Sequence, residues 1–173
     1  IVNDNSGTSN ATDIAIVTVT VNPINDQPEA VDDTVLVDED SSVNIDVLAN
    51  DSDIDGDTLT VTGVTTPGHG TAVINGDGTI TYEPAANYNG PDTFTYTVDD
   101  NSGAGNATDT ATVTVTVGFV NDRPEAVDDT VSVDEDSFVI INVLANDSDI
   151  DGDTLTVTGV TTPDHGTVVI NGD

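Results

Sequence analysis

The clearest pattern in the chain is a strict alternation between apolar residues and threonine. In 111–117, valines at every second position share one face of a predicted strand, and threonines take the other face. In 92–98 the same spacing places two aromatic residues and a valine on one face. Five further short segments are rich in alternating or β-branched residues: 30–37, 42–49, 58–64, 70–75 and 79–84. Turn-forming residues separate them, so the pattern predicts seven short strands in an antiparallel β-sandwich.

The chain also repeats itself with a period of 96 residues. Residues 25–77 and 121–173 are identical at 46 of 53 paired positions, and the sequence of 1–13 is similar to that of 97–109 at the same offset. A period of this length is too long for a solenoid unit and suits one independent sandwich. The sequence therefore predicts tandem sandwiches joined end to end.

This register predicts three parts. Residues 1–24 are the C-terminal end of a preceding repeat, 25–120 a complete repeat, and 121–173 the N-terminal part of a following one. The two end pieces together lack the equivalents of 78–96, so we expect that they do not complete each other within one molecule. Either the sequence is a window on a longer array, or the ends of neighbouring molecules pair head to tail.

Charge narrows the possible partners. The chain has 173 residues, of which 33 are acidic and one, Arg123, is basic, giving a formal net charge of −32. Such a chain has no basic patch for nucleic acid or for an anionic membrane. No run of about 20 apolar residues is present, so we expect no membrane insertion. Cysteine is absent, which excludes disulfides and thiolate metal sites.

The acidic residues are concentrated in predicted turns. Low hydrophobicity with high net charge is typical of disorder, but 28 of the 33 acidic residues are aspartates, which favour turns. The segment 49–59, repeated at 145–155, places four aspartates at alternate positions around a glycine. Alternating carboxylates beside a glycine suit Ca²⁺, which takes six to eight oxygen ligands. A solvated acidic turn without an ion is the alternative.

Four segments in a fixed order resemble the cadherin repeat, and more closely the cadherin-like tandem repeats of large secreted RTX-type bacterial adhesins. They are VDEDSS at 37–42, VLANDSDIDGD at 47–57, YTVDDNSG at 96–103, and the final strand with its N-D-x-P linker at 112–124. The resemblance implies Greek-key, Ig-like sandwiches and calcium bound between successive repeats. It also implies an extracellular or cell-surface location.

The resemblance assigns ligands to the junction inside this chain, which are Glu39, Asn121, Asp122, Asp147 and Asp149. The family's L-D-x-E motif is absent, and NYNGPD stands in its place. We therefore expect one or two ions per junction, with one ion possible within the acidic turn alone. The full set of candidate metal ligands is Asn25, Asp26, Glu39, Asp51, Asp53, Asp55, Asp57, Asp92, Asp99, Asp100, Asn121, Asp122, Asp147, Asp149, Asp151 and Asp153.

Catalysis is not expected. His69 and His165 lie in Pro/Gly turns without a G-x-S-x-G motif, and the paired carboxylates recur in turns without an aromatic sugar platform. We interpret the chain as a calcium-rigidified extender repeat of a long extracellular adhesin or fibre. A calcium-dependent homophilic or glycan-binding adhesion module is the alternative. A halophilic acidic surface fits less well, because the strand faces carry threonine.

Overall fold

A computed structural model describes residues 1–10 and 12–172. Its strands are β1 (Val2–Asn3), β2 (Thr12–Asp13), β3 (Asp33–Asp38), β4 (Val43–Ile45), β5 (Thr60–Val64), β6 (Gly70–Ile74), β7 (Ile80–Pro84), β8 (Gly90–Asp99) and β9 (Thr108–Gly118). All seven strands predicted for the complete repeat are present as β3 to β9. No helix long and apolar enough to cross a membrane occurs in the described ranges.

The complete repeat has two sheets. One has the order β3-β9-β8-β5 and the other the order β4-β7-β6. Most pairs are antiparallel, but β3 and β9 pair in parallel, with Val35 opposite Val115. The prediction of a purely antiparallel sandwich was therefore wrong in this respect. The chain enters the sandwich at one end and leaves at the other, so its first and last long strands run in the same direction.

The alternating apolar positions form the core between the sheets. Val113, Val115 and Val117 of β9 are 0–3% exposed, and the intervening threonines face outward. Tyr82 of β7 and Phe94 of β8 stack across the core with ring centroids 6.0 Å apart. Burying a side chain of this kind contributes about 1.5–3 kcal/mol, which explains how a chain of such high charge still folds.

The strand directions define two ends of the sandwich. The entry end carries the start of β9, the end of β8 and the start of β5. The exit end carries the ends of β3 and β9 and the start of β8. Most predicted ligands lie beyond the strands at these ends.

In the described parts of the flanking copies, 1–10, 12–24 and 121–172, residues with the sequence of sandwich strands are largely exposed. Val17, the counterpart of the buried Val113, is 83% exposed. In 121–172 the strand pairing is reduced to one antiparallel bridge between Glu125 and Ser148. This bridge repeats the one between Glu29 and Ser52 in the complete repeat. The local loop geometry of the repeat thus forms in both copies.

Candidate cation site

The acidic turn of the complete repeat folds around the side chain of Asp53. Its Oδ1 accepts the backbone N–H of Asp55 at 2.8 Å and that of Asp57 at 3.3 Å. Gly56 closes the turn with a φ of 80°, a conformation that favours glycine. The sequence therefore curls three carboxylates around one point, and their oxygens lie within 4.8 Å of one another.

This arrangement leaves negative charge uncompensated. Asp53 Oδ2 is buried and has no hydrogen-bond partner among the described residues, while Asp55 and Asp57 are exposed. A buried acceptor without a donor costs about 1–3 kcal/mol. A bound cation would relieve both this cost and the mutual repulsion of the three carboxylates.

Asp51 is the fourth aspartate of the alternation, but it does not join the other three. Its Oδ1 accepts the N–H of Val31 at 2.7 Å, and the buried Tyr96 hydroxyl lies 3.1 Å from both of its carboxylate oxygens. Burial raises the pKa of the Asp51 carboxyl. The sequence pattern could not separate Asp51 from its neighbours, because the difference comes from a tyrosine 45 residues away.

The linker before the repeat docks onto this turn. The N–H of Asp26 donates to Asp55 Oδ2 at 2.7 Å. Asn25 Nδ2 donates to Asp100 Oδ2 at 3.0 Å, and Asp100 is 2% exposed. Asp99 accepts the N–H of the residue two positions on. The entry end thus gathers the predicted linker pair, the acidic turn and the pair Asp99 and Asp100.

The side-chain amide of Asn25 stabilises the ionised form of Asp100. Its hydrogen bond, followed by those of Ser102, holds the pKa of the Asp100 carboxyl below its ordinary value. Because donors of the protein already satisfy this carboxylate, we interpret Asp100 as an anchor for the linker.

The second copy of the turn reproduces these contacts. Asp149 Oδ1 accepts the N–H of Asp151 at 3.0 Å and that of Asp153 at 3.3 Å, and the three carboxylates again lie within 4.8 Å. The N–H of Asp122 donates to Asp151 Oδ2 at 2.6 Å. Asp147 accepts the N–H of Val127 at 2.8 Å, as Asp51 does with Val31.

The exit end of the complete repeat meets this second turn. Glu39 is 2% exposed, and its Oε1 accepts the N–H of Val120 at 2.7 Å. Asp122 Oδ2 is buried and has no hydrogen-bond partner among the described residues. Burial raises the pKa of the Asp122 carboxyl, and the negative charges of Asp151, Asp40 and Glu39 raise it further. Carboxylates from two repeats and the linker therefore act on one another here.

The two copies differ in burial in the way that a neighbouring repeat would cause. Asp26 and Asp55 at the entry end are exposed, whereas their counterparts Asp122 and Asp151 at the internal junction are half-buried. The internal junction has the exit end of a complete sandwich before it. Of the turn carboxylates only Asp151 is more buried than its counterpart, since Asp53 and Asp149 are both half-buried and Asp57 and Asp153 are both exposed.

The predicted ligand Asp92 lies away from the carboxylates that act on Asp122 at the internal junction. One of those carboxylates, Asp40, was not predicted. Asp92 is 6% exposed and accepts hydrogen bonds from Gly68, His69 and Tyr82, so it is satisfied within the sandwich. Asp40 has a positive φ of 57°. Its place beside Glu39 in the DED string was the available signal.

The turn histidine of the complete repeat is a structural residue. The His69 ring stacks on Tyr88 with centroids 4.1 Å apart and planes 5° apart. The Tyr88 hydroxyl donates to the carbonyl of Pro91 at 2.7 Å. Tyr88 therefore anchors this loop.

Two packed sheets with an acidic turn beside the linker define the complete repeat as an Ig-like β-sandwich. The chain belongs to the bacterial Ig domain family, whose model, described as "Bacterial Ig domain", matches residues 25–116 and 121–173. The family confirms the predicted bacterial Ig-like repeat. The resemblance to RTX-type adhesins in particular stays a prediction.

Comparisons with individual proteins add little. Protein GAMETE EXPRESSED 2 of Arabidopsis thaliana is 40% identical over 76 residues, which is 44% of this chain and 8% of that protein. The endo-fucoidan hydrolase MfFcnA9 of glycoside hydrolase family 107 is 21% identical with a TM-score of 0.39, over 60% of this chain and 18% of its own. The H294Q variant of the endo-fucoidan hydrolase MfFcnA4, of the same family, is 19% identical with a TM-score of 0.40, over 65% of this chain and 18% of its own. Structural similarity at these TM-scores does not indicate the function of this chain.

Proposed function

We propose that this chain is a spacer segment of a long extracellular adhesin or fibre, in which Ca²⁺ bound between repeats makes the array stiff. Bacterial Ig domains are a family of surface-associated repeats, and the complete repeat here has its chain entry and exit at opposite ends. Each repeat would add about 35–40 Å, from 11 residues of β9 at about 3.3 Å per residue.

The observation that carries the calcium proposal is the unpartnered carboxylate of Asp122. Its buried Oδ2 belongs to the linker, and the charges that act on it come from Glu39 and Asp40 upstream and Asp149 and Asp151 downstream. Without a cation, these charges push the two repeats apart. With a cation, the same oxygens draw them together.

The donor set favours calcium over other common ions. The acidic turns offer carboxylate oxygens alone, as hard cations prefer, and zinc would require histidine or cysteine. Magnesium demands near-octahedral geometry and keeps most of its waters, whereas calcium accepts flexible sites with more ligands. We propose no catalytic role, since the paired carboxylates lie in turns and His69 is packed on Tyr88.

Calorimetric titration of the full chain with calcium tests the proposal. We expect Asp122→Asn/Asp149→Asn to lose the internal-junction site, seen as a lower stoichiometry. The control Asp128→Asn/Asp129→Asn removes the same charge from exposed positions and should titrate like the parent. A parent that binds no calcium, or a junction variant with unchanged stoichiometry and affinity, would overturn the proposal.

A further inference from the structure

Tyr96 links the acidic turn of the complete repeat to the sandwich core. Its ring is fully buried in β8, and its hydroxyl lies 3.1 Å from the carbonyl oxygens of Val31 and Val47 and from both carboxylate oxygens of Asp51. Val31 belongs to the segment after the linker, while Val47 and Asp51 belong to the loop that leads into the turn. One hydroxyl therefore contacts both segments that shape the site.

The hydroxyl is a donor surrounded by acceptors. A tyrosine hydroxyl has one hydrogen to donate, and here four acceptor oxygens surround it. The nearby Asp33 Oδ2 is buried and has no partner among the described residues. Removing the Tyr96 hydroxyl would leave these acceptors without their shared donor, and the loop would lose its hydrogen bond to β8.

The second copy shows which contacts are local and which are not. The bridge between Glu125 and Ser148 and the bond from Val127 to Asp147 form there without a tyrosine contact. The linker segment and the acidic turn therefore assemble by themselves. What the complete repeat adds is the attachment of this assembly to the sandwich through Tyr96.

We infer that Tyr96 is a positioning residue for the cation site at Asp53, Asp55 and Asp57. It acts through Asp51, which it holds against β8, and it does not contact the cation. This inference rests on the proposed function, because it concerns how firmly the acidic turn is held when the ion binds. It assigns Asp51 to the anchor and removes it from the ligand set.

The test is calcium affinity at the central turn of the full chain, measured by calorimetry in an Asp149→Asn/Asp151→Asn background that removes the second turn. Tyr96→Phe should bind calcium roughly five- to tenfold more weakly. The variant loses one hydrogen bond to a charged group, and only part of that loss reaches the carboxylates that bind the ion. Tyr82→Phe is the matched control, because its buried hydroxyl also donates to an aspartate, Asp92, at 2.9 Å. It should lower stability in chelator and leave the affinity within about twofold.

Asp51 variants separate anchoring from direct ligation. Asp51→Asn keeps one side-chain oxygen, which can accept from both Val31 N–H and the Tyr96 hydroxyl, and should retain most of the affinity, whereas Asp51→Ala should lose as much as Tyr96→Phe. The double variant Tyr96→Phe/Asp51→Ala should lose no more than either single change, because the two residues act as one unit.

The inference is overturned if Tyr96→Phe and Tyr82→Phe weaken binding equally, or if Asp51→Asn loses as much as Asp51→Ala. If circular dichroism shows that Tyr96→Phe does not fold in chelator, the comparison of Asp51→Asn with Asp51→Ala tests the inference alone. Additive losses in the double variant would also overturn it. A parent in which neither turn binds calcium would instead refute the proposed function itself.

Discussion

Calcium should stabilise the complete repeat, and removing its acidic turn should abolish the part of that effect that this turn supplies. We consider Asp53→Asn/Asp55→Asn, which removes two of three carboxylates whose oxygens lie within 4.8 Å. An ion that binds the folded state alone, at 100 times its dissociation constant, stabilises that state by about 2.7 kcal/mol. For a domain of this size, each kcal/mol shifts the melting temperature by about 4–8 °C, so one site shifts it by about 10–20 °C.

The same change should act in the opposite direction without calcium. Two like unit charges about 4 Å apart repel by about 1 kcal/mol even in bulk water, and the repulsion is larger near a protein surface, where water screens the charges less. Asparagine at position 53 retains an oxygen that can accept the N–H groups of Asp55 and Asp57, so the turn keeps its shape. In chelator the variant should therefore melt at the same temperature as the parent or higher.

Differential scanning calorimetry in calcium, magnesium, chelator and sodium at equal ionic strength separates ion binding from charge screening. The control Asp128→Asn/Asp129→Asn has the same change in net charge at exposed positions outside both turns and should respond to calcium as the parent does. Equal parent melting temperatures in calcium and chelator would refute the reasoning. A variant that keeps the full calcium response would exclude this turn as the site.

Three further predictions concern the sandwich and its ends. Burial opposes ionisation of Asp92, but hydrogen bonds from His69, Tyr82 and neighbouring amides hold its pKa below its ordinary value. Its stabilising effect is therefore complete above about pH 4 and lost as the pH falls through the folded-state pKa, and Asp92→Asn should flatten this loss in acid urea titrations. Gly70→Ala should destabilise by about 1–3 kcal/mol in urea unfolding, because its Cβ would lie 2.5 Å from the Glu83 carbonyl oxygen, while Gly76→Ala, with open space, should have little effect. If unpartnered ends pair between molecules, light scattering at high concentration with calcium should show chains larger than monomers, and a strict monomer would exclude head-to-tail association.

The strands could be predicted because each depends on its own residues. The β9 segment alternates threonine and valine over 112–117, and the structure buries the valines as the period-two pattern requires. The parallel pairing of β3 with β9 was missed, because pairing direction depends on where the chain enters and leaves the sandwich. No local pattern in either strand records that direction.

The acidic turn was also predictable, but the roles of its residues were not. Alternation treats Asp51, Asp53, Asp55 and Asp57 alike, whereas the structure turns Asp51 toward Tyr96 and leaves the other three together. Asp92 has the same chemistry as a ligand, but it satisfies amides within the fold. These differences come from contacts between residues far apart in sequence, which a motif in one segment cannot show.

Stiffening of the array by calcium is tested most directly by small-angle X-ray scattering of the full chain in calcium and in chelator. The account predicts a single narrow set of extended dimensions with calcium and a broader, more flexible set with chelator. It also predicts that Asp149→Asn/Asp151→Asn behaves in calcium as the parent does in chelator, because its internal junction lacks the turn carboxylates. Identical maximum dimensions and flexibility of the parent with calcium and with chelator would contradict the account.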